Sequence, residues 1–356
     1  MMAALVSSAV WVNLATVIGA PVSTTHAVVG GVMGAGIAAV GFGLVNWDTM
    51  GAIAASWVIS PLMGGAIAAM FLAFIKVNLI YQYDKIAAAR RWIPVLVALM
   101  AGSFGCYLSI KGFKHLWSPD LVTVALIGAG TFAATWAITS PAIKRQSRGM
   151  ENRNQSLRKL FHVPLICSAA LLSFAHGAND VANAIGPLAA IIHTVESGDI
   201  EGQVSVPIWI MMVGAFGISL GLFLYGPKLI RMVGAKITKM NPMRAYCVAL
   251  SAAITVIFAS YLGLPVSSTH VAVGAVFGVG FFREFYTKHS KRRREMVRRC
   301  APEKVHSDTP VAPDEIRHRK LVRRSHVMTI LAAWVITVPA TALLSAGIFY
   351  IFDAIR

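Results

Sequence analysis

The stretch GLPVSSTHVAVGAVFGVGF, Gly263 to Phe281, decides how this chain is read, because the chain contains it twice. Residues Gly19 to Gly36 read GAPVSTTHAVVGGVMGAG, and at an offset of 244 Gly19, Pro21, Val22, Ser23, Thr25, His26, Val29, Gly30, Val32, Gly34 and Gly36 all recur. The likeness continues downstream. AASWVISPL at Ala54 to Leu62 resembles LAAWVITVP at Leu331 to Pro339, with Trp57 and Trp334 separated by 277. The two offsets differ by 33 residues, which places a basic insertion inside the second copy. Two copies of a hydroxyl cluster ending in His, both set in apolar sequence, indicate an internal repeat.

The surrounding composition indicates a membrane. The chain of 356 residues is 56% hydrophobic and 13% charged, and runs such as Met50 to Ile75 and Val327 to Phe352 carry almost no charge. Segments this long and apolar read as transmembrane helices, and their continuity, without alternation of period two, excludes a barrel. The fold class expected is an all-α polytopic membrane protein. Four cysteines form no metal or disulfide pattern: Cys106, Cys167 and Cys247 lie in apolar segments, and Cys300 lies in a basic loop. The N-terminus has no basic n-region and does not read as a cleaved signal peptide.

A formal charge of +17 would suit nucleic acid, but its placement suits a membrane. Four stretches, Lys76 to Arg91, Lys144 to Lys159, Lys228 to Arg244 and Lys288 to Arg324, hold 28 of the 32 basic residues. They read as cytoplasmic loops under the positive-inside rule, and the longest as a solvated segment near anionic headgroups. The acidic ESGDIEG, Glu196 to Gly202, is then external, and the interval Phe161 to Thr194 crosses once. Walking the spans from these anchors makes the second repeat begin inside and the first outside. Inverted-topology repeats of this kind belong to secondary transporters, whose sites form near the midplane where interrupted helices meet. The expected organisation is 1–75 as the remainder of the first repeat and 76–160 as loops with two connecting spans. The second repeat follows as 161–285, its inserted basic loop as 286–326, and its last span as 327–356.

Gly-x-Pro ahead of three hydroxyl residues breaks one helix and caps the next. A helix N-terminus within the membrane offers free N–H groups and partial positive charge, an anion site without a fixed cation. A third segment, SFAHGANDVANAIGPLAAI at Ser173 to Ile191, carries His176, Asn179, Asp180 and Asn183 inside the interval that has to cross. An Asp at the centre of a span costs roughly 2.5 to 3.5 kcal/mol, so such residues face a cavity or an ion path. Asn179 and Asn183 share a helical face at i and i+4. Clustered oxygens suit a hard cation, and amide NH₂ groups suit an anion.

GANDVANAIGP together with two copies of PVS[ST]TH resembles the inorganic phosphate transporter family, the sodium- or proton-coupled phosphate symporters, over nearly the whole chain. The resemblance implies phosphate bound between two inverted repeats with cations beside it. Carried over, Asn179, Asp180 and Asn183 with Ser267, Ser268 and Thr269 form one half-site, and Ser23, Thr24 and Thr25 belong to the other. Asp180 and Asn183 are the coupling-cation candidates, and His26, His270 and His176 are accessory candidates. Proton transfer is conceivable for His26 and His270, though a helix-packing hydrogen bond is the expected use. One departure stands out. Asp180 and His270 are 90 residues apart, and the family has a similar Asn/Asp motif in repeat one, which by that spacing falls ahead of Met1.

The function expected is phosphate import across the plasma membrane by cation symport and alternating access, with Na⁺ or H⁺ as coupling ion and no other cofactor. A sulfate or other oxyanion permease is the closest rival, followed by a passive anion channel and an intramembrane serine hydrolase. The last suits a duplicated hydroxyl run poorly, since a nucleophile needs a single activated Ser in one geometry. Expected partners are phosphate and membrane lipid, with a homodimer admissible and no nucleic acid.

Overall fold

The computed structural model describes residues 1–20, 22–112, 119–198, 204–236, 240–290 and 324–355. Most of the 286–326 basic loop and the link at 199–203 lie outside the described residues. Every regular element among those described is helical. In chain order they are α1 (Met2–Ile18), α2 (Thr24–Val40), α3 (Trp47–Ile75), α4 (Lys85–Tyr107), α5 (Leu121–Gln146) and α6 (Asn154–Leu160), then α7 (His162–Ser197), α8 (Ile208–Lys236), α9 (Pro242–Tyr261), α10 (Ser268–His289) and α11 (Arg324–Ile355).

Seven of the described helical segments are long and apolar enough to cross a membrane, while Met2–Ile18 and Thr24–Val40 are apolar but shorter. At 1.5 Å per residue each of those two 17-residue helices is about 25 Å long, below the thickness of a bilayer core. The connection expected at Lys76 to Arg91 is shorter than its charge suggested. A π-helical turn, Lys76–Ile80, extends α3, and Asp84 caps α4 by accepting from the backbone N–H of Ile86 and Ala87 at 3.0 and 2.9 Å. Helix α2 stops at Val40, where Gly41 adopts φ 90. The interval Phe161 to Thr194 is one helix that runs unbroken through Gly186 and Pro187.

The two copies of the repeated sequence exchange partners. Helix α2 of the first copy packs along α11 of the second, and α10 of the second packs along α3 of the first. Small residues permit both approaches. A Cβ on Gly30 would strike Thr341 and Val338, and one on Gly34 would strike Ala342. In the other pair, Gly274 would strike Pro61 and Gly278 would strike Gly65. Of these, Val338 and Ala342 correspond to Pro61 and Gly65 at the offset of 277 already seen between Trp57 and Trp334. Within lipid, where burial of apolar surface does not drive helix association, such close backbone contact is the main source of packing energy.

The largest apolar core among the described residues lies where α3, α4, α6, α7 and α9 converge, around Leu72, Ile93, Leu160, Tyr246 and Leu250. The Tyr246 hydroxyl, fully enclosed there, donates to the Leu96 carbonyl at 3.0 Å, so the ring is buried without an orphaned polar atom. Helix α5 touches mainly α4, through Gly102, Gly105 and Gly128. Side chains such as Leu126 and Ile138 are left on its surface, and Leu222 and Phe223 on that of α8, as lipid contact requires.

Candidate functional site

Both hydroxyl motifs start their helices in the same way. Gly19 and Gly263 close the preceding helical segments at φ 82 and 72, a left-handed conformation that costs glycine little. Ser23 then accepts from the backbone N–H of His26 at 3.2 Å, and Ser267 from that of His270 at 3.3 Å. Both serines sit at N-cap positions in extended conformation. The break and cap expected from Gly-x-Pro-x-Ser are therefore present in both copies.

The next hydroxyls converge on α7. The Thr24 hydroxyl donates to Asp180 Oδ2 at 3.0 Å, and Ser268 lies 3.2 and 3.3 Å from the two carboxylate oxygens. Asn179 Nδ2 donates to Asp180 Oδ1 at 2.9 Å and to the Val266 carbonyl at 2.9 Å. His176, one turn back, places Nδ1 2.6 Å from Ser268 Oγ and 3.4 Å from Asp180 Oδ2. A hydroxyl has one proton, so if Ser268 donates to the carboxylate, Nδ1 of His176 is the protonated nitrogen and donates to Ser268. The second hydroxyl of the first motif, Thr25, accepts from Asn183 Nδ2 at 3.0 Å and faces the Val266 carbonyl at 3.4 Å.

Thr24, Asp180, Asn183, His176 and Thr269 line one wall of a cavity of about 780 Å³ between α1, α2, α7 and α8. The rest of its wall is largely apolar, including Leu5, Val12 and Val213, with Ser8, Asn13 and Thr16 interspersed. Among the described residues no Lys or Arg lines it. Asp180 is 9% exposed, so its charge is held by neutral donors in a poorly solvated place. Pro187 has no N–H to give to the Asn183 carbonyl four residues earlier, which frees one backbone oxygen beside the Asn183 side chain. Among the described residues no cluster of three or more His, Cys, Asp or Glu is arranged to hold a metal ion.

The structure therefore brings Asn179, Asp180, Asn183, Thr24, Thr25 and Ser268 into one network. It does not keep the two half-sites apart, since Thr24 and Thr25 of the first motif bond the Asn/Asp segment of the second repeat directly. Ser23 and Ser267 are buried and serve as caps. His176 is an immediate neighbour of the carboxylate. The helix-packing hydrogen bonds expected of the His26 and His270 rings are not formed among the described residues; the two rings meet edge-on instead. The Val266 carbonyl is also part of the site and carries no signal in the sequence, since a backbone acceptor leaves no mark on side-chain identity. Trp57 is a further neighbour, at a position that the repeat marks.

These features define a polytopic helical membrane protein with a buried, neutral-donor site shared by two copies of one motif. The chain matches the phosphate transporter family over residues 1–345 and belongs to it. A Helicobacter pylori protein named "Putative phosphate permease" is 45% identical, covering 98% of this chain and 74% of that protein. A Pyrococcus abyssi protein that also carries the name "Putative phosphate permease" is 33% identical, over 98% of this chain and 77% of its own. Among solved structures, one described as the sodium-dependent phosphate transporter superposes with a TM-score of 0.83 at 32% identity, covering 99% of this chain and 79% of its own.

Proposed function

We propose that this chain carries inorganic phosphate across the plasma membrane by cation symport and alternating access, with its basic loops cytoplasmic and its two repeats inverted. The observation that carries the reading is Asp180, a poorly solvated carboxylate bonded by hydroxyls from both motifs at the wall of the cavity. Phosphate and this carboxylate repel each other. At 5 Å and an effective dielectric constant of about 20 the cost is about 3 kcal/mol per pair of unit charges. A cation between them reverses the sign of that contribution, so anion and cation bind together or not at all. The oxygens for such a cation are the Asp180 carboxylate, the Asn183 side chain and the Asn183 carbonyl freed by Pro187, a set that suits hard Na⁺. Thr24, Thr25, Ser268, Thr269 and the Asn179 and Asn183 amides serve phosphate, while Ser23 and Ser267 hold the helix N-termini that face it.

Support for sodium comes from the solved neighbour, described as sodium-dependent. Proton coupling is the second reading, favoured by His176 Nδ1 at 3.4 Å from Asp180 Oδ2, a pair able to share one proton. The test is radiolabelled phosphate uptake by the whole chain in cells lacking their own phosphate transporters, with the sodium and proton gradients collapsed separately. Uptake that stops only without the sodium gradient supports the first reading. Loss with the proton gradient alone supports the second. Uptake indifferent to both makes the protein a passive anion pathway.

A further inference from the structure

The two histidines that end the hydroxyl motifs form the centre of a row of four rings crossing from one copy to the other. Trp57 of α3 lies over His26 with centroids 3.8 Å apart. His26 meets His270 edge-on at 4.3 Å and 89°. His270 stacks on Trp334 of α11 at 3.6 Å and 24°. Each tryptophan stands on a helix that packs along the other copy's motif helix, so the row interlocks the exchanged pairs α2–α11 and α10–α3. Trp57 adds a hydrogen bond from Nε1 to the Pro265 carbonyl at 3.2 Å, just ahead of the second motif.

Both imidazoles are more than nine-tenths buried, and among the described residues none of their four ring nitrogens has a hydrogen-bond partner. The Trp334 backbone adjoins His26 without meeting bonding geometry. Buried polar atoms without partners are costly and uncommon. The chain makes this arrangement with both copies, so what the pair supplies here is flat, close-fitting surface, not a donor or an acceptor. Its location gives that surface a task. Thr24 and Thr25 directly precede His26, and Ser268 and Thr269 directly precede His270, so the ring contact sets the spacing between the hydroxyls that meet on Asp180 and Asn183.

We propose that His26 and His270 are positioning residues of the phosphate site, holding the two hydroxyl motifs in register through ring contact and not through a ring nitrogen. The inference rests on the phosphate reading above for its substrate, but the register itself is measurable without phosphate. A cysteine pair, Thr25→Cys with Val266→Cys, reports the motif separation by oxidative cross-linking, because Thr25 Oγ1 and the Val266 carbonyl are 3.4 Å apart. The pair is introduced into the whole chain with native histidines, with His26→Ala/His270→Ala, or with His26→Phe/His270→Phe, and the linked peptide is quantified by mass spectrometry. The expected result is that cross-linking slows about tenfold in the Ala variant and is restored in the Phe variant, which keeps a ring and removes the orphaned nitrogens.

In the same three histidine backgrounds without the cysteines, the phosphate KM for uptake rises about tenfold with Ala, the scale of one lost hydrogen bond to a charged group, while Vmax per membrane-inserted molecule changes much less. Phe brings KM back toward the native value. Cross-linking unchanged in the Ala variant overturns the proposal. So does a Phe variant that cross-links normally but has lost uptake, because a nitrogen is then required. If the native chain takes up no phosphate, the transport reading fails and cross-linking still decides the ring contact.

Discussion

The Thr24 hydroxyl donates to the Asp180 carboxylate at 3.0 Å, across 156 residues of chain and from one copy of the repeat to the other. Ser268 reaches the same carboxylate from the second motif. One buried carboxylate therefore joins both hydroxyl motifs. Replacing Asp180 by Asn keeps the size and polarity while removing the charge that the symport proposal assigns to the coupling cation. Gradient-driven phosphate uptake is expected to be abolished in Asp180→Asn with the protein still in the membrane fraction. In Thr24→Val the KM for phosphate or for the coupling cation should rise about tenfold, the size of one charge-assisted hydrogen bond. Full uptake by Asp180→Asn would remove the carboxylate from the coupling role.

Substrate choice should follow from acceptors as well as donors. Phosphate carries a hydroxyl hydrogen near neutral pH and sulfate does not, and the Val266 carbonyl, held to Thr25 only at 3.4 Å, can receive it. A site with a buried acceptor discriminates against a ligand that leaves it unpaired. Sulfate in about tenfold excess over phosphate is expected to reduce labelled phosphate uptake by less than half, whereas unlabelled phosphate at that excess removes about nine-tenths of it by simple isotope competition. Equal inhibition by the two anions would instead mark a general oxyanion carrier.

The exchanged packing of helices rests on glycine faces. Gly278→Leu must push α10 off Gly65 of α3, and Gly34→Leu must push α2 off Ala342 of α11. Overpacking of this kind costs about 1 to 3 kcal/mol or more where only backbone can give way. Both variants are expected to show sharply reduced amounts of folded protein by fluorescence-detected size exclusion. Gly130→Leu, at a position on α5 with open space around it, should leave the level unchanged.

The N-caps supply a graded test. Ser23→Ala and Ser267→Ala each remove the acceptor for one histidine N–H, with an expected loss of about 1 kcal/mol, and substitution by Gly should cost only a few tenths. Thermal unfolding of detergent-purified protein measures the order Ser, Gly, Ala. The same order should appear at both positions, since both caps have the same geometry.

Much of the local structure was legible without coordinates, because the interactions that set it act over three or four residues. The end of one helix at Gly263 and the start of the next at Ser267 follow from a left-handed glycine, a helix-breaking proline and a hydroxyl acceptor. The charged Lys76 to Arg91 segment was harder to read. Its basic residues suggested a loop, yet the helices run through most of it, because Asp84 caps α4 and a π-turn prolongs α3. The destination of Thr24 was also hidden. Adjacent hydroxyls look equivalent along the chain, and only the direction of each at the helix start separates the cap Ser23 from the cavity-lining Thr24.

The sequence by itself determined an apolar helical membrane chain, a duplicated capped motif, and an Asn/Asp segment placed within a membrane-crossing helix. Those properties depend on hydropathy, on helix termini and on the cost of a charge in lipid, which are local quantities. Tertiary structure alone decided that α2 pairs with α11 and α10 with α3, that both motifs share Asp180, and that His26 and His270 meet edge to face. These contacts join residues 88 or more positions apart, and they are chosen by which helix surfaces fit closely enough to pack in lipid. No periodicity along a single helix encodes that fit.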